Sequence, residues 1–346
     1  MRTPSSTPTH EGPRELSFRN GTVMVTTARV LVVWVGYNSG PWAVRSLRDA
    51  GYDVLASHPE GTRGGRSTAA IDPRRYPSPA ERPDAFVAWL EQTCREERIS
   101  AVLALDPDAV RLIAERAPDL SGAAFAGPSA EQYRALCEPS GFARTAVAAG
   151  VDAAVQVSGQ PWELHCVRGD GGFAMVAARA EATRPGDAGR GSAARIVEAP
   201  DALGRAAARL LDQVDYRGPC AMTVTERDGR FWFHDVRPGL SPAVGAATSA
   251  GFDQPRWGVE AALGHFRPPV GIARSLTYLP LQAELSALRD ALVGRTAESP
   301  AAIARGIARA ALARDQVLDP PLTDPAWLAS SARRGLRRIA RGGDAA

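Results

Sequence analysis

With 346 residues the chain is long enough for two or three domains with real cores. Its 45% hydrophobic and 23% charged content is that of a globular protein, and no apolar run reaches the roughly 18 residues of a membrane span. A net charge of +3 argues against nucleic acid, and all 41 Lys+Arg residues are arginine, so chemistry that needs a lysine is closed to this chain.

Residues 1–27 are polar at first and carry no apolar leader. Met24 directly precedes the first strand-like run, so 1–23 reads as a misplaced start or, with the residues up to 27, as a disordered extension. Val30 to Val35 is a continuous β-branched run, as in a strand buried on both faces. Gly36 to Gly40 forms a turn, Pro41 suits a first helical position, and Ala43, Leu47 and Ala50 share one helix face. With the strand "DVLAS" this makes a βαβ unit. After a loop over 59–83 come a helix at 83–97, strand 101–105, helix 107–117, strand 123–127 and helix 129–136. The expectation is a doubly wound parallel α/β layer over 28–150.

From 151 the pattern changes. Residues 154–183 alternate, with turn signals at Gly159-Gln160 and at 169–172, and read as antiparallel strands. An amphipathic helix follows at 200–216, then a hairpin over 218–238 turning at Asp228-Gly229. This second domain is placed at 151–268, and 269–346 reads as a helical, Ala/Arg-rich region. Within it, 323–343 makes a basic amphipathic helix, with Leu328, Ala332, Leu336 and Ile339 on one side and arginines on the other. Such a helix lies on an anionic membrane surface, docks on an acidic partner, or packs on its own domain.

Candidate ligand contacts cluster at strand ends. Asn38 and Ser39 lie in the turn before a helix N-terminus, where free N–H groups favour an anion; an ordinary tight turn explains the pattern equally well. Asp106 and Asp108 end a parallel strand at the edge where such sheets bind ligands, or cap the helix around Pro107. His165, Cys166, Cys220 and His234 lack metal-ligand spacing and read as core or edge residues. Cys94, Cys137, Cys166 and Cys220 are scattered, which fits reduced thiols and a cytoplasmic protein.

The order of elements, together with Gly218, Asp228-Gly229, Asp235-Val236-Arg237-Pro238-Gly239, Ser241, Ala250-Gly251, Asp253 and Pro255, resembles the ATP-grasp superfamily. Within it the likeness is to the carboxylate–amine ligases related to the carbamoyl-phosphate synthase large subunit. It spans roughly 28–265. The resemblance implies a preATP-grasp-like α/β domain followed by an antiparallel α+β grasp lobe. In the family, an Mg-ATP site activates a carboxylate as an acyl phosphate before amide formation.

The departures fall on that site. The family's main metal-binding Glu falls on Asp235, its Asn ligand on Arg237, its phosphate-facing Arg on Gly239, and its earlier acidic ligand on Thr223. The family's small nucleotide-clamping lobe should follow "AAGV" (148–151), yet "DAAVQVSGQPWELHCV" comes almost at once. The pair that usually opens the preceding helix, Asp-Lys, corresponds to Glu138-Pro139. One Asp beside a guanidinium is a poor magnesium site, and Arg237 could stand in for the metal's charge. The expectation is a degenerate, non-catalytic binding or partner module of a biosynthetic pathway with no cofactor. Its partners would be an active ATP-grasp or pathway enzyme, a second copy of the chain, or an anionic membrane through 323–343, with no nucleic acid. The alternative is a working Mg-ATP-dependent ligase whose nucleotide lobe another chain supplies. Ser241, near the hairpin's end, joins Asn38, Ser39 and Asp108 as a candidate substrate contact.

Overall fold

The computed structural model describes residues 14–19, 22–34, 39–61, 73–116, 120–182, 193–269, 274–296, 298–313, 315–319 and 324–329. β1 (Arg14–Arg19) and β2 (Thr22–Thr27) pair as an antiparallel hairpin, Leu16 opposite Val25 and Phe18 opposite Val23. The unordered extension expected over 1–27 is therefore corrected at these positions. Two alternating runs flank Asn20-Gly21, a dipeptide that favours tight hairpins.

The N-terminal layer runs β3 (Arg29–Val33), α1 (Gly40–Asp49), β4 (Asp53–Pro59), β5 (Arg74–Tyr76), α2 (Pro83–Glu96), β6 (Ala101–Ala104), α3 (Pro107–Arg116) and β7 (Ala124–Phe125). Its strands are parallel in the order β5-β4-β3-β6-β7. The apolar run is buried on both faces because helices cover both. Val30 and Val32 pack with Ala43 and Leu47 of α1, whereas Leu31 and Val33 pack with Phe86, Leu90 and Ile113. The short strand β5 lies inside the segment expected to be a loop.

α4 (Ala130–Cys137), with a capping box from Ser129 and Gln132, and α5 (Pro139–Ala148) lead into the second sheet. Residues 149–159 hold no helix or strand, so the strand expected from 154 begins at 160. There follow β8 (Gln160–Gly169), β9 (Gly172–Ala182), β10 (Ala193–Val197), α6 (Asp201–Asp212), β11 (Gly218–Arg227), β12 (Arg230–Pro238), α7 (Val244–Ser249) and α8 (Gln254–Ala262). The β11–β12 turn sits at Asp228 and Gly229, both at positive φ (53° and 74°), as that hairpin turn demands. On one face of the sheet Leu164, Cys166, Met222, Val224 and Phe233 bury Leu203, Leu210 and Leu211 of α6, each worth roughly 1.5–3 kcal/mol. On the other face Val167, Val176 and Ile196 meet Ala246, Ala247 and Phe252.

The C-terminal region expected to be helical holds two helices and also two short strands. β13 (Leu276–Pro280) pairs antiparallel with β10, and β14 (Gln316–Asp319) pairs parallel with β13; α9 (Leu281–Leu292) and α10 (Pro300–Leu312) connect them. The sheet order is β12-β11-β8-β9-β10-β13-β14. Leu276 and Tyr278 are buried on alternate positions, so burial on the sheet outweighs the helix-rich composition around them. A helical turn covers 325–329; most of the basic helix expected over 323–343 lies outside the described residues. Among the described residues no helix is long and apolar enough to cross a membrane.

Candidate functional site

The face of the second sheet that packs on α7 and α8 carries the charged residues. β11 runs between β8 and β12, and Thr223 lies opposite Glu163 on one side and Asp235 on the other. The register of β11 against β12 shifts between Thr223 and Val224, which leaves His234 as the extra residue of a bulge. His234 bonds the Thr225 hydroxyl (2.8 Å) and the Ala154 carbonyl (2.6 Å). Beyond the bulge, Asp235 and Arg237 share one face, as residues two apart on a strand must.

Arg237 is the centre of the cluster. Its Nη2 donates to Thr223 Oγ1 at 3.3 Å and lies 3.6 Å from Glu163 Oε1; its Nε lies 3.4 Å from Asp235 Oδ1. The Nε–H is buried and not aimed at that oxygen, so this contact is electrostatic and not a hydrogen bond. Each carboxylate has a second donor. Asp235 Oδ1 accepts the Thr223 N–H (3.2 Å), and Glu163 accepts the Ser241 hydroxyl, whose oxygen in turn accepts the Ala243 N–H (3.0 Å). Gly239 turns the chain at φ 88°, where a Cβ would come 3.1 Å from the Ala104 carbonyl oxygen. That close approach sets the end of β12 against the carboxyl end of β6.

Glu163 has no motif of its own in the sequence. Its signal was the alternation of β8, which puts Glu163 and His165 opposite Leu164 and Cys166. His165 is fully buried, and its Nδ1 lies 3.4 Å from Gln254 Oε1. The Gln254 amide donates to the carbonyls of Cys166 (3.0 Å) and Cys220 (2.8 Å), so its oxygen faces His165 and Nδ1 is the protonated nitrogen. Nε2 has no hydrogen-bond partner, and burial lowers the imidazole pKa.

Ser39 is wholly buried at the N-cap of α1; its hydroxyl makes no cap bond and has no other partner. Asn38 lies outside the described residues. Asp108 is exposed, and its carboxylate lies 3.9 Å from Arg111 one turn on. Asp106 is the buried member of that pair: it accepts the Asp108 N–H (3.1 Å), and burial pushes its carboxyl up to about 6. The four cysteines are free thiols.

No protein-family model matches the chain, and no curated protein matches it. Solved structures do. An L-amino acid ligase from Bacillus licheniformis superposes with a TM-score of 0.58 at 11% identity, over 72% of this chain and 79% of the ligase. The biotin carboxylase–β-γ-ATP complex from Campylobacter jejuni gives 0.55 at 11%, over 70% of this chain and 72% of that one. A single-chain, multi-domain long-chain acyl-CoA carboxylase gives 0.53 at 19% over 68% of this chain, which spans 26% of that much longer protein.

The chain has the ATP-grasp fold.

Two features of this ATP-grasp fold bear on chemistry. The first is the passage from α5 to β8, where the resemblance places a small lobe. Instead Asp152 to Ala154 runs along the edge of β12: the Phe233 N–H donates to the Asp152 carbonyl (2.9 Å) and the Ala154 N–H to the Phe233 carbonyl (3.1 Å). Arg230 clamps Asp152 with contacts of 2.8–3.1 Å. The second is the donor set. Magnesium on a nucleotide needs several hard oxygen ligands. Here Glu163 and Asp235 both face one fixed guanidinium, and among the described residues no group of three or more His, Cys, Asp or Glu is placed to hold a metal. These residues do not fit a magnesium–nucleotide site.

Proposed function

We propose that the chain is an ATP-grasp scaffold that does not itself activate a carboxylate with ATP, and that it serves as a binding or partner module beside an active pathway enzyme. The observation that carries this reading is Arg237, whose guanidinium lies between Glu163 and Asp235. It puts a permanent positive charge where the fold's family would put metal ions. The absence of any lysine from the sequence and the short α5–β8 passage support it independently. Calorimetric titration with Mg-ATP tests it. The expected result is no affinity tighter than about 1 mM, or about −4 kcal/mol. A low-micromolar Kd that depends on magnesium would overturn it.

A second reading keeps the carboxylate–amine ligase activity and brings the nucleotide lobe from another chain. The retention of two carboxylates, Glu163 and Asp235, on one sheet face favours it. Against it, the edge of β12 beside the short α5–β8 passage is already occupied by Asp152 to Ala154. Amide formation from amino acids in a mixture of this chain with its pathway enzymes, lost on Asp235→Ala, would select this second reading.

A further inference from the structure

Three side chains on one face of α1, Trp42, Arg45 and Ser46, are spaced i, i+3 and i+4. Each donates to a carboxylate from the C-terminal half of the chain. Trp42 Nε1–H reaches Asp319 Oδ1 on β14 (3.1 Å), Arg45 Nη2–H reaches Asp324 (2.5 Å), and the Ser46 hydroxyl reaches Asp253 beside α8. Asp319 also accepts the Tyr278 hydroxyl of β13 at 2.5 Å, so one buried carboxylate is bonded to both layers. Trp327 packs edge-on against Trp42 at 6.0 Å and lies under the Arg45 guanidinium. Asp324, fully buried, accepts the Trp327 N–H at 3.0 Å. On the other side of Trp42, a Cβ on Gly245 would fall 2.3 Å from the indole nitrogen, so α7 presses directly on the ring.

We propose that this contact is a proton-operated clasp between the N-terminal layer and the C-terminal sheet, with Asp319 as its titrating member. Burial pushes the Asp319 carboxyl up to about 6, against the two hydrogen bonds that favour its charged form. Burial also raises Asp253.

The groups around Asp319 leave this assignment standing. α7 carries no charge, and Arg305 and Arg309 of α10 are exposed. Arg45 of α1 is engaged with Asp324, Arg48 has its own contacts, and Glu284 of α9 is buried with contacts of its own. Beyond Tyr278 the next charge is Glu163, already in the Arg237 cluster.

The sign follows from linkage. A carboxyl whose pKa is higher in the closed clasp than in water holds its proton more tightly when closed. Closure is therefore strongest below the ordinary carboxylate range and weakens as pH rises through about 6. The clasp lies one turn from Ser39, the N-cap of α1.

Hydrogen exchange of the full chain at pH 5 and pH 7.5, corrected for the intrinsic pH dependence of exchange, tests this on peptides covering α1, β13 and β14. From a pKa of about 6 closed and 3.8 open, the opening constant should be roughly tenfold larger at pH 7.5. In Asp319→Asn the difference should fall below about twofold. A wild-type opening constant that does not change with pH, or an Asp319→Asn chain with the wild-type dependence, would overturn the clasp. If Asp319→Asn does not fold, Trp42→Phe removes one donor while keeping an aromatic ring. The midpoint of the pH dependence should then move upward, and an unmoved midpoint would overturn the proposal equally.

Discussion

Replacing Arg237 by alanine tests the charge cluster directly. The guanidinium makes one hydrogen bond, to Thr223, and two ion contacts, to Glu163 and Asp235. The side chains are 35%, 24% and 49% exposed, so solvent screens both ion pairs. Each exposed pair is worth about 0.2–1 kcal/mol and the hydrogen bond about 0.5–1.5 kcal/mol. Neither carboxylate is stranded by the change, because Ser241 still donates to Glu163 and the Thr223 N–H to Asp235. What remains is two like charges on one sheet face. The expected loss is therefore about 1–3 kcal/mol, read from the urea midpoint at unchanged m-value. It should shrink in 1 M salt, where the screening length is about 3 Å. Magnesium should not restore it. A loss below about 0.3 kcal/mol would show that the cluster holds nothing together. An Arg237→Asn chain whose melting temperature rises with magnesium would mean that the donor set is a metal site after all.

Other perturbations reach the same architecture elsewhere. Gly245→Ala puts a Cβ 2.3 Å from the Trp42 indole and should cost about 1–3 kcal/mol by overpacking; a neutral effect in thermal unfolding would mean that Trp42 moves aside freely. Gln254→Met keeps the volume but loses the bonds to Cys166 and Cys220, with an expected loss of about 1–3 kcal/mol; unchanged denaturation would argue against any role for that amide. A chain ending at residue 329 should keep its circular dichroism and lose co-sedimentation with anionic vesicles at low salt. Vesicle binding that survives the truncation would refute the membrane option for the arginine-rich segment.

The parts of this fold that local patterns specify were legible. The run Val30 to Val35 reads as a doubly covered parallel strand, of which Val30 to Val33 lie in β3, and Asp228-Gly229 reads as a tight hairpin turn. The parts set by distant pairing were not. β14 has four residues and pairs with β13 across two helices, so nothing near Gln316–Asp319 marks it as a strand. β13 runs directly into the helix α9, and the alternation of Leu276 and Tyr278 is too short to stand out. The hairpin at 14–27 did carry a signal in Asn20-Gly21, which the polar character of the first residues obscured. At the charged cluster, Asp235 and Arg237 could be placed on one face because they are two apart. Glu163 comes from a strand more than fifty residues earlier, and only the register of β8 on β11 brings it opposite Thr223. The His234 bulge was equally hidden, because it depends on how two strands meet.

The short passage between α5 and β8 has a consequence for how the chain folds. Closing a loop costs entropy that grows with its length, by about 0.6 kcal/mol per doubling. An insertion of a few tens of flexible residues between these elements would lengthen the connection by about two doublings, at a cost to the core of about 1 kcal/mol. The passage also lies along β12 and occupies backbone groups that a bare edge strand would offer to other chains. Shortening here therefore acts like a staple and an aggregation guard at once. A connection this short leaves less chain entropy to lose on folding than a longer one, and it shields that edge of β12 from other chains.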